Sequence, residues 1–167
     1  MSTPFQPIAH LVGYTRVAHQ RLTNNLTAIP VEHLNDAPSG CARTALNIAA
    51  ECALINGYAA EGLTTGALTR LVGDDRTAHL ASFTTLESTL AYLDEKTAQL
   101  IAAIEALDES NLGETTELFG RPMSLFAFAE LPASHMSYHD GQIAYIQTLH
   151  GDSTNYWLAP KPTEPKA

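Results

Sequence analysis

The chain has 167 residues, with nine Lys and Arg against 18 Asp and Glu, a formal charge of −9 at neutral pH. That length fits one domain able to bury roughly two-thirds of its unfolded surface, so neither a disulfide nor a metal is needed merely to fold. The basic residues are scattered, which excludes a phosphate-neutralising patch; no apolar run reaches about eighteen residues and no signal-peptide pattern opens the chain, so neither nucleic acid nor membrane is an expected partner.

Charged residues make up only 16%, below the roughly one quarter usual for soluble domains. Large uncharged helix faces follow, and part of that surface is expected to be a subunit interface. Two cysteines, Cys41 and Cys52, are not in a Cys-x-x-Cys pair, which points to a reducing, cytoplasmic setting with Cys52 as a small core residue. If both were helical they would lie roughly 16 Å apart, too far to bridge.

The pattern predicts four long helices and no strand of useful length. The first covers about residues 5–29, with Ile8, Leu11, Val12, Leu22, Leu26 and Ile29 at helical spacing. Pro30 and the Pro/Gly-containing run 35–40 end it. The second covers about residues 42–60, carries Leu46, Ile48, Ala49, Cys52, Ile55 and Ala59, and is expected to stop near Gly62. The third begins at Thr84, which with Glu87 makes a Thr-x-x-Glu capping box ahead of Leu86, Leu90, Leu93, Leu100, Ile104 and Leu107. The fourth starts after Pro122 with Ser124 as N-cap, runs to His150 and ends on Gly151. Pro132 lies inside it and should kink it unless the helix restarts there.

Residues 31–41, 61–83 and 108–123 read as connectors. The last two are longer than the usual helix–helix link, which favours a bundle with at least one overhand crossing. The predicted fold is therefore an all-α four-helix bundle, a single domain over residues 1–155. A Pro-rich tail follows over 156–167. Its last seven or so residues are expected to be disordered, with Tyr156 and Trp157 packing on the bundle.

The chemistry concentrates in three residues. His135 and His139 are four apart, so on a helix they share a face and can meet on one metal ion. A stripe through Phe128, Pro132, Ile146 and Leu149 passes through both, which points them inward. Hydrogen-bonded core histidines are the plain alternative. Glu51 is the only charged residue between Thr44 and Ala60, and an unpaired buried carboxylate is costly. A cation facing two neutral imidazoles would satisfy it; snorkelling to solvent, or pairing with Arg16 or Arg43, would do so without one. Two histidines and one carboxylate leave coordination positions open, as catalytic sites do, and suit Zn²⁺, Ni²⁺ or Fe²⁺.

Around them, His19 is expected to face inward as a further ligand, proton shuttle or satisfied core histidine. Asn47 sits one turn before Glu51, while Tyr138 and Asp140 flank His139. Each is a candidate for the surroundings of the site. There is no His-Glu-x-x-His, no Gly-x-Ser-x-Gly and no phosphate loop.

The run from His135 through His139, Asp140, Gly141 and Gln142 to Gln147 resembles the fourth-helix signature of the DinB-like superfamily. The stretch from Thr44 to Glu51 resembles that family's second-helix motif. The resemblance implies an up-down-down-up four-helix bundle with a long connector between helices 2 and 3. It also implies a metal held by one ligand from the second helix and two from the fourth, and a homodimer. Some relatives are thiol-dependent transferases or isomerases using mycothiol or bacillithiol. The family's usual second-helix ligand is histidine, and Glu51 stands in its place here, making the site less positive and a weaker Lewis acid. The expected function is that of a metal-dependent enzyme on a small molecule, a thiol-dependent transferase or a hydrolase. The alternatives are a non-catalytic metal-binding or dimerisation module and a plain bundle with core histidines.

Overall fold

A computed structural model describes residues 4–157. The chain is mostly helical, with five α-helices and one two-stranded sheet among the described residues. The helices are α1 (Pro7–Ala28), α2 (Ala45–Thr65), α3 (Gly73–Ala81), α4 (Leu86–Glu105) and α5 (Leu125–Leu149). The strands β1 (Thr115–Thr116) and β2 (Met123–Ser124) pair antiparallel. The chief contacts between helices are α2 with α4 and α5, and α1 with α5 and α4. No described helix is long and apolar enough to cross a membrane.

Local chemistry explains most of the boundaries. Pro7 opens α1, where a missing N–H costs nothing. The Thr44 side chain accepts the Asn47 N–H at 3.1 Å and caps α2. The Ser124 hydroxyl accepts the Ala127 N–H at 3.1 Å and caps α5, whose far end turns off at Gly151 with φ +85°. From the apolar stripes, Leu11, Leu22 and Leu26 of α1, Leu46 and Cys52 of α2, Leu93, Leu100 and Ile104 of α4 and Phe128 of α5 are buried.

Three expectations are corrected. The connector 61–83 contains a fifth helix, α3, with Leu80 as its one buried residue. The third predicted helix is capped by Thr85, not Thr84: the Thr85 hydroxyl accepts the Ser88 N–H at 3.2 Å. The second predicted helix runs past Gly62 to Thr65 and stops on Gly66, whose φ is +71°. Gly62 instead provides room inside the helix, since a Cβ there would come within 2.9 Å of Leu68 Cδ2 and Phe128 Cζ. At Pro132, which is buried, α5 does not restart but continues as one helix.

The chain after α5 folds back on the helices. Tyr156 is buried, and its carbonyl accepts from Asn24 Nδ2 at 3.3 Å. Arg21 stacks over the Trp157 ring at 3.9 Å. The expected disorder of the last seven residues lies outside the described residues.

Candidate metal centre

The centre forms where the first half of α2, with Glu51 and Cys52, faces the middle of α5. One helical turn separates His135 from His139, and their Nε2 atoms are 3.1 Å apart. The His139 Nδ1 atom lies 2.7 Å from Gln142 Oε1, an acceptor, so Nδ1 carries a proton. The same amide donates its Nε2–H to the Tyr138 hydroxyl at 3.2 Å, which is consistent with that orientation. Gln142 thereby fixes the ring so that His139 Nε2 faces the cluster, an arrangement common among metal-binding histidines, whose other ring nitrogen is held by a hydrogen-bond partner.

His139 Nε2 lies 3.3 Å from Glu51 Oε2. A ring nitrogen and a carboxylate oxygen so placed are held together by positive charge between them, either a proton on Nε2 or a metal ion. His135 adds a second unmet requirement: its Nδ1 is buried without a hydrogen-bond partner. Burial, reinforced by the neighbouring His139, pushes the His135 pKa down to about 4. This ring is therefore neutral at pH 7 and able to donate a lone pair.

Cys52 follows Glu51 on α2 and is fully buried. Its sulfur and one ring nitrogen from each histidine all lie within 4.8 Å of one another. Burial, and next the negative charge of Glu51, push its thiol pKa up, so it is protonated without a cation. Cys52, His135 and His139 could together hold a metal ion, and a set of imidazoles with a thiol and a carboxylate beside them suits a borderline-soft divalent metal.

Glu51 is 9% exposed and does not lack basic partners, as its isolation along the helix led one to expect. Arg43 Nη1 donates to Oε2 and Arg76 Nη2 to Oε1. Burial works to raise the Glu51 pKa, but the bonds to His139 and Arg43 outweigh it and hold the carboxyl well below the usual range. Arg43 was one of the partners weighed from the sequence. Arg76 comes from α3, the helix that was read as connector, and Arg16 instead meets Glu105 at 3.4 Å.

The surrounding candidates divide. Tyr138 packs edge-on against the His139 ring, centroids 5.0 Å apart. Asn47 lines a cleft of about 510 Å³ together with Arg43 and Arg76. His19 is bonded through Nε2 to Asp94 Oδ1 of α4 at 2.7 Å. Asp140 is buried and accepts from Asn25 Nδ2 at 2.5 Å and from Trp157 Nε1 at 2.6 Å, so it secures the C-terminal segment. No hydrogen bond among the described residues joins His19 or Asp140 to the histidine pair. Sequence reasoning missed Arg76, Gln142 and Cys52 as members of the cluster. Gln142, three residues after His139 on the same helix, was the one with a usable signal.

A larger cleft of about 650 Å³ adjoins the centre, lined by Arg43, Tyr138, Gln142 and Tyr145 among others. Arg43 borders both clefts.

No curated protein matches. The crystal structure of a conserved protein of locus from Enterococcus faecalis superposes with a TM-score of 0.70 at 13% identity, covering 87% of this chain and 98% of that one. It supports the fold alone. The family model described as the DinB superfamily matches residues 1–143, a span that includes α2 and the His135/His139 pair. The chain belongs to the DinB superfamily.

Proposed function

We propose that the chain is a metal-dependent enzyme acting on a small molecule by group transfer or hydrolysis. One divalent ion, zinc, nickel or iron, would be held by His135 and His139 with Glu51 as the anionic third ligand. The observation that carries this reading is the approach of His139 Nε2 to Glu51 Oε2 at 3.3 Å, with Gln142 occupying the opposite ring nitrogen. Cys52 is the competing third donor. When bound, such an ion lowers the pKa of water or a thiol, or polarises a carbonyl. The protein's part is to keep His139 in one tautomer through Gln142, to keep His135 neutral by burial, and to supply an ionised carboxylate beside them. The two clefts give a small molecule room next to this centre.

Further parts of the proposal rest on the sequence and on the family resemblance. They are an up-down-down-up bundle of α1, α2, α4 and α5, a single domain over 1–155, a homodimer and a cytoplasmic location. Between residues 122 and 149 only Glu130 and Asp140 carry formal charge, which supports a helix-face contact between two copies.

One observation favours the second reading, a non-catalytic or vestigial site. Glu51 is already neutralised by Arg43 and Arg76, so it does not require a cation.

Cobalt(II) distinguishes the donors. Wild type is expected to take up about one equivalent and to give d–d bands without a strong near-ultraviolet thiolate-to-cobalt band. Glu51→Gln should lose most of the uptake. A thiolate band that disappears in Cys52→Ser would transfer the third ligand to Cys52. No uptake in any protein would overturn the metal reading and leave the non-catalytic one.

A further inference from the structure

The larger cleft has an unusual charge pattern for this chain. Its volume, about 650 Å³, is in the range of small-molecule sites, which are mostly apolar with a few placed polar groups. Its walls are Ile48 and Ile146 with Tyr138 and Tyr145, and each tyrosine is 65% exposed. Among the described residues Arg43 is the only formally charged one lining it, in a protein of net charge −9. Acidic side chains outnumber basic ones two to one, yet none among the described residues borders this cleft.

Arg43 has donors to spare. A guanidinium carries five N–H groups in a fixed fork, and among the described residues its one hydrogen bond is from Nη1 to Glu51. Its side chain is about a third exposed. Arg43 and Arg76 together with the ionised Glu51 leave one net positive charge where the two clefts meet. Gln142, on the same cleft wall, is bonded to His139, so a ligand seated there lies one residue from the histidine pair.

We propose that Arg43 and this cleft bind the substrate as a small organic anion, its anionic head on the Arg43 fork and its apolar body between Tyr138, Tyr145 and Ile146. The inference rests on the functional reading above and names the substrate class for that site. A carboxylate or a phosphate monoester presents the chemistry that a guanidinium takes up through paired N–H donors.

The test is calorimetric titration of the 167-residue chain, treated with chelator, using phenylbutyrate, its neutral amide, phenyl phosphate and inorganic phosphate. Phenylbutyrate or phenyl phosphate should bind about tenfold or more tighter than the amide, the value of one hydrogen bond to a charged group. The tighter of the two identifies the head group. Arg43→Gln should abolish the preference. Equal binding of acid and amide by wild type, or a preference that survives Arg43→Gln, would overturn the proposal. So would inorganic phosphate binding as tightly as the aromatic anions, because the apolar wall would then contribute nothing.

If Arg43→Gln does not fold, Tyr145→Glu against Tyr145→Gln at the exposed rim replaces it. The added carboxylate should weaken the anions several-fold relative to the amide, and no difference overturns the proposal. Selective anion binding by a protein that never takes up metal would defeat the metal reading and leave this one standing. Anion binding that requires metal and ignores Arg43 would do the reverse.

Discussion

Replacing Arg43 and Arg76 together by methionine is expected to destabilise the metal-free protein by about 3–5 kcal/mol. The reason is the position of Glu51, in the first half of α2 and 9% exposed. Both of its oxygens are engaged by guanidinium groups, one from the segment before α2 and one from α3. Without them the carboxylate must stay charged and unpaired in a poorly solvated place, or take up a proton against its present preference. Adding Glu51→Gln to the double variant should recover most of the loss, because a neutral amide carries no charge to compensate. Urea unfolding of the four proteins measures the cycle. A loss of under about 1 kcal/mol, the size of an exposed ion pair, would show that Glu51 is solvated well enough to need neither arginine. A divalent ion should stabilise the double variant more than wild type, since its carboxylate is free of competitors.

The second large effect is on pH. In metal-free protein, His135 has a folded-state pKa near 4, against 6.5 for an ordinary histidine, chiefly through burial. A lowered histidine pKa means that the unfolded chain binds the proton more readily. The stability attached to the neutral ring is therefore complete above about pH 6.5, and is lost as pH falls from there to about 4. The interval corresponds to about 3 kcal/mol. Glu51, with its depressed pKa, adds losses in the same direction, but these begin only as pH falls through the ordinary carboxylate value of 4.5 and continue below it. His135→Phe should therefore flatten the stability profile between pH 6.5 and 4.5 and leave the steeper fall at lower pH. Denaturant midpoints of chelated wild type and variant across that range provide the check. Parallel profiles for the two proteins would contradict the burial of a neutral imidazole.

What was legible in the sequence follows the range of the interactions involved. Ser124 and Gly151 act within a turn of α5 and were correctly read as its ends. The four-residue spacing of His135 and His139 is local, and it placed both on one helix face. The Thr84/Thr85 ambiguity is also local, but two adjacent threonines offered equivalent caps, and backbone entry selected the second. Helix α3 was missed because nine residues with one buried side chain give almost no periodic signal. The paired strands, two residues each, fall below any alternation that can be read.

The partners of charged groups were the least legible. Glu51 finds Arg76 25 positions away, and His19 finds Asp94 75 positions away. Asp140 finds Trp157 in what was read as a tail. Cys52 was hidden for a different reason. In an apolar stripe a cysteine reads as a small hydrophobe, and only the packing of α2 on α5 brings its sulfur to the histidines.

The most direct test of the metal centre is a competitive zinc titration at pH 7.5 of wild type, Glu51→Gln, Glu51→His and His139→Ala, with bound metal counted by mass spectrometry. Wild type is expected to bind about one ion per chain. Glu51→His should retain a site, Glu51→Gln should lose much of the affinity, and His139→Ala should show no specific uptake. Equal affinities across all four proteins, or no uptake by wild type, would contradict a metal centre at Glu51, His135 and His139.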